Sequence, residues 1–117
     1  IAILSLGNAL HNAVAAAKMA AEKNVPVDVY DMIWAKPFDT ELVRQIALTH
    51  KRIITVEDGV RIGGFGSAVR QWLDDNGIMI HFTQLGIPDR FIEHGSVPEL
   101  EKICGLDPDS ILNAILS

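Results

Sequence analysis

Hydrophobic and polar positions alternate along this chain in blocks that switch between two periods. Ile1–Leu6 is continuously apolar apart from Ser5 and is closed by Gly7-Asn8. Arg52–Val56 reads Arg-Ile-Ile-Thr-Val and is followed by Glu57-Asp58-Gly59. Short apolar runs bounded by turn residues predict strands buried on both faces, the habit of a parallel sheet. Val27–Tyr30 and Ile78–Leu85 predict two further strands of more mixed character. His81, which lies in the last of them, is expected in the core.

Between the strands the apolar spacing becomes helical. Leu10, Val14, Ala17 and Ala21 recur at intervals of four, three and four and predict the buried face of a first helix. Seven alanines between Ala9 and Lys23 raise helix propensity and let that helix lie close to a sheet. Asn24, Val25 and Pro26 end it, with Asn24 suited to a left-handed cap. A second helix begins after Asp39, whose carboxylate can accept first-turn amides. Phe38 and Val43 are placed for a hydrophobic staple, and His50 and Lys51 put positive charge at the far end. A third helix is predicted from Gly64 to Asp75, burying Phe65, Val69 and Trp72 or Leu73 and closed by Asn76-Gly77. Ser96-Val97-Pro98-Glu99 reads as the capping box of a short helix. Asp107-Pro108 opens a final one that runs to Leu116.

Strands alternating with helices across short turns predict an α/β fold of three layers, α/β/α. Right-handed crossovers make 2-1-3-4 the simplest order of four strands in a doubly wound, mostly parallel sheet. One domain over residues 1–117 accounts for the whole length.

Composition narrows the function. The net charge of −5, from 10 Lys plus Arg against 15 Asp plus Glu, comes with scattered basic residues, which argues against nucleic acid. No apolar run reaches the roughly 20 residues needed to span a bilayer, so no membrane partner is expected. A single cysteine, Cys104, excludes an internal disulfide and any multi-cysteine metal site and fits a reducing, cytoplasmic compartment. Cys104, Phe65 and Trp72 are read as packing residues. The opening Ile1-Ala2-Ile3-Leu4, without Met or lead-in, suggests a piece of a longer chain.

Two places carry candidate chemistry. Gly63, Gly64, Gly66 and Ser67 lie between a strand and a helix, where backbone amides could cradle an anion. They fit neither phosphate fingerprint: a phosphate loop would put Phe65 where Lys must stand, and dinucleotide glycine spacing is absent. Close packing and a tight helix entry are the favoured reading. Glu57 stands at the crevice where strand order reverses, with Gly7 and Asn8. It is read first as a cap for nearby amides and second as a buried acid. The other place is the loop from Gly86 to Gly95, holding Asp89, Arg90, Glu93 and His94, either an interface or site or a self-satisfied turn. His11 and His50 read as surface or helix-end residues. The four histidines have no metal-ligand spacing, and no catalytic residue is assigned.

With these stretches in hand, the chain resembles the C-terminal, transketolase-type domain of the 1-deoxy-D-xylulose-5-phosphate synthases over essentially its whole length. Four stretches carry the likeness: Asp31–Asp39 (Asp-Met-Ile-Trp-Ala-Lys-Pro-Phe-Asp), Thr55–Gly59, Gly63–Ser67 and Gly86–Gly95. Lys-Pro-Phe-Asp and the Glu-Asp plus glycine elements are shared with beta subunits of thiamine-dependent 2-oxo-acid dehydrogenases. The Pro88–Gly95 loop with Gly105-Leu106-Asp107 is the more specific signature, and Asp58-Gly59 is a departure at a turn.

The resemblance implies a homodimeric cytoplasmic transferase. It would condense pyruvate with D-glyceraldehyde 3-phosphate, with loss of carbon dioxide, for isoprenoid and thiamine biosynthesis. It also implies thiamine diphosphate and magnesium, bound by other domains. The family's Gly-Asp-Gly metal motif is matched only by Glu57-Asp58-Gly59, without the first glycine. This chain is therefore expected to bind no cofactor, to have no turnover alone, and to serve as a structural, dimer-supporting domain. An antiparallel edge strand just upstream of Ile1 is also implied. The alternatives are a regulatory nucleotide- or anion-binding module, the corresponding domain of another thiamine-dependent enzyme, or a free-standing flavodoxin-like binding protein.

Overall fold

The computed structural model describes residues 1–7, 9–32, 38–60, 64–87 and 106–117, without the side chains of 58–60 and 87. The strands are β1 (Ala2–Leu6), β2 (Asp28–Asp31), β3 (Arg52–Val60) and β4 (His81–Ile87). The helices among the described residues are α1 (Ala9–Glu22), α2 (Thr40–Thr49), α3 (Phe65–Asp75) and α4 (Pro108–Leu116). The sheet is four-stranded and parallel in order β2-β1-β3-β4, as the alternation predicts. β1 pairs Leu4 with Tyr30 on one side and with Thr55 on the other. Strand order reverses between β1 and β3. The predicted capping-box helix at Ser96–Glu99 lies outside the described residues, as does Cys104.

Each face of the sheet has its own core. Ile3, Ile54 and Val56 face α1 and α4, where they meet Ala9, Ala13, Ala16, Ala20, Ile111, Leu112 and Ile115. Ala2, Leu4 and Ile53 face the other way, against Val43, Ile46, Phe65, Val69 and Leu73 of α2 and α3. Phe38 packs against this second core, to which Val43 also belongs, and its ring meets Phe65 edge-on. Full burial of each of Ile111, Leu112 and Ile115 contributes roughly 1.5–3 kcal/mol, which holds a helix as short as α4 in place.

The caps follow the sequence. Asp39 accepts from the Leu42 amide at 3.0 Å, and Asp107 accepts from the Ser110 amide at 3.3 Å. Asn24 takes the left-handed conformation after α1 at φ 64, and Gly77 does so after α3 at φ 67.

Five expectations are corrected. The buried face of α1 is Ala9, Ala13, Ala16 and Ala20, the same spacing one residue earlier than Leu10, Val14, Ala17 and Ala21. The smallest side chains meet the sheet because they allow the closest approach of backbone to strands, and Leu10 and Val14 stand half-buried on the flank. His81 is exposed rather than core, since it is the first residue of an edge strand. β4 begins there and not at Ile78, leaving Ile78–Ile80 as its approach. β3 continues to Val60, and Glu57-Asp58-Gly59 becomes a register shift against β4 between Val56 and Val60. Trp72 is only half-buried and carries the Arg44 guanidinium over its ring at 5.1 Å, while Leu73 takes the core position.

Candidate functional site

The pleat of β3 sends alternate side chains to opposite faces. With Ile54 and Val56 toward α1 and α4, residues 53, 55 and 57 point toward α3. Glu57 is thereby carried under the first turn of α3, where it is 2% exposed. The residue before that helix, Gly64, has no side chain to offer its free amides. Glu57 supplies the acceptor instead, and the Gly66 amide donates to its Oε2 at 2.8 Å. A carboxylate at a helix N-terminus meets the positive end of the macrodipole. The capping role read from the sequence is therefore the one found.

Gly66 is fixed by contact as well as by this hydrogen bond. A Cβ placed there would lie 2.6 Å from Thr55 Oγ1 and 2.7 and 2.9 Å from Gln84 Cγ and Cδ. Real Cβ atoms essentially never come that close, so only glycine lets α3 enter over β3 and β4 at this distance. Next to it, Gln84 of β4 donates from Nε2 to Ser67 Oγ at 3.1 Å. The strand ends and the helix entry thus form one interlocked unit.

Of the candidate site residues, Gly64, Gly66 and Ser67 are brought together at this entry. Gly63, Asp89, Arg90 and His94 lie outside the described residues, as does Asn8. Gly7, at φ 75, turns the chain out of β1 beside the crevice, and the pairing of Leu6 with Glu57 sets their distance. A second anion approaching the Gly66 amide would meet a built-in carboxylate. At about 4 Å that repulsion is about 1 kcal/mol even in water and larger in a buried setting. Among the described residues, no group of three His, Cys, Asp or Glu is placed to hold a metal. The arrangement can orient and tie elements, through Glu57 to the Gly66 amide and through Gln84 to Ser67.

Two polar arrangements at the opposite end of the sheet escaped sequence reasoning. His50 caps α2, its Nδ1 3.0 Å from Thr49 Oγ1 and 3.0 Å from the Ile46 carbonyl, while Nε2 lies 2.7 Å from Asp28 Oδ2. The position of His50 at a helix end was legible, but its partner on an edge strand was not. Thr49 Oγ1 also donates to the Gln45 carbonyl at 2.9 Å, so its hydroxyl belongs to its own helix. Arg52 is the other case. It is 7% exposed and donates to the carbonyls of Ile115 and Ser117 at 3.2 and 3.3 Å and to Thr83 Oγ1 at 3.0 Å. A strand-initial Arg gave no local sign of binding a helix end 63 residues away. His11 is exposed, as read from the sequence.

The sequence matches the family described as "Transketolase, C-terminal domain" over residues 1–111. It is 50% identical over 111 residues to the 1-deoxy-D-xylulose-5-phosphate synthase of Parabacteroides distasonis, covering 95% of this chain and 18% of that protein. It is 42% identical over 115 residues to the synthase of Cytophaga hutchinsonii, covering 98% of this chain and again 18% of the relative. Among solved structures it superimposes with TM-score 0.88 and 31% identity on a split-gene transketolase described as an inactive beta4 tetramer, covering 98% of this chain and 37% of that one. A mutant transketolase from Pichia stipitis, at TM-score 0.63 and 19% identity, covers 98% of this chain and 15% of that one and shares the fold. The chain therefore spans about a fifth of the length of the curated relatives it matches.

Proposed function

Because this chain belongs to the transketolase C-terminal domain family, we propose that it is the C-terminal structural, dimer-supporting domain of a 1-deoxy-D-xylulose-5-phosphate synthase. The observation that carries this reading is the 50% identity to such a synthase over 95% of the chain. The parent, a cytoplasmic homodimer, joins pyruvate to D-glyceraldehyde 3-phosphate with release of carbon dioxide, at the head of isoprenoid and thiamine biosynthesis.

Thiamine diphosphate and magnesium supply the carbanion chemistry in that parent. The described residues do not fit either group. The helix end that could take a diphosphate already holds the Glu57 carboxylate, and among the described residues no acidic cluster is placed for the metal. Both belong to the other domains of the parent in this reading. Here the residues act on shape: Glu57, Gly66, Gln84 and Ser67 tie strand ends to the entry of α3, and Arg52 ties α4 to β3 and β4. In the described residues, no helix is long and apolar enough to cross a membrane.

The test is alanine substitution of Asp89, Arg90 and His94 in the full parent enzyme. Turnover per folded dimer is expected to change less than about tenfold, equivalent to about 1.4 kcal/mol. A loss of several orders of magnitude with stability and dimerisation intact would move these residues into the catalytic machinery and overturn the scaffold reading.

A further inference from the structure

We draw no further inference here: the strongest candidate, the shallow groove between α3 and the edge strand β4 lined by Leu73, Ile78, Ile80 and Phe82 beside Arg70 and Asp74, carries nothing because nothing in the structure shows what covers it.

Discussion

Gly66→Ala is the most informative single change in this domain. The added methyl lies 2.6 Å from Thr55 Oγ1, on a fully buried strand residue that cannot retreat, and 2.7 and 2.9 Å from the Gln84 side chain, which can. Forcing a methylene into such packing costs about 2–3 kcal/mol in the upper half of the overpacking range. Replacing a helical glycine by alanine returns at most about 1 kcal/mol through propensity and unfolded-state entropy. The net expectation is a loss of about 1–2 kcal/mol, or about 4–10 °C in Tm for a domain of this size. Denaturant unfolding of four proteins reads it: wild type, Gly66→Ala, Thr55→Ala and the double variant. In the Thr55→Ala background the penalty of Gly66→Ala should shrink by about 1 kcal/mol, because the immovable contact is gone and only Gln84 remains to yield. A Gly66→Ala protein as stable as wild type, or an equal penalty in both backgrounds, would refute the close-approach reasoning.

Substitutions at three further positions test other joints. Glu57→Gln keeps the shape but loses the charge in the bond to the Gly66 amide, and should lower stability by about 1 kcal/mol; Glu57→Ala, which leaves the amide without its acceptor, should lower it by about 2 kcal/mol, both by denaturant melts. Arg52→Met keeps the apolar stem but strips the hydrogen bonds to Ile115, Ser117 and Thr83, and should cost about 2–3 kcal/mol, with amides of α4 losing hydrogen-exchange protection before those of β1. Asp28→Asn should cost less than about 1 kcal/mol, and less again in high salt, because Asp28 is 68% exposed although its oxygen lies 2.7 Å from His50.

Long-range order was legible wherever local signals agreed. Continuous apolar strands, the caps Asp39 and Asp107, the stop at Asn24 and the glycine after Asn76 together leave few topologies, and the strand order follows from right-handed crossovers. The face of α1 was misread because its seven alanines give little hydrophobic contrast. Leu10 and Val14 drew the pattern to themselves, yet the sheet selects the smallest side chains. His81 was misjudged because apolar neighbours say nothing about which strand lies at an edge. Glu57 was read correctly as a cap because a carboxylate just upstream of a glycine-rich helix entry has few other partners. Arg52 and the Asp28–His50 pair were invisible for the opposite reason, since each depends on residues brought together only by the complete fold.

The most direct measurement of the central claim is made on the purified 117-residue chain. Supplied with pyruvate, D-glyceraldehyde 3-phosphate, thiamine diphosphate and magnesium, it should release no carbon dioxide above the protein-free background, and calorimetry should detect no coenzyme binding at micromolar concentrations. Sustained carbon dioxide release, or tight retention of the coenzyme by this chain alone, would contradict the account.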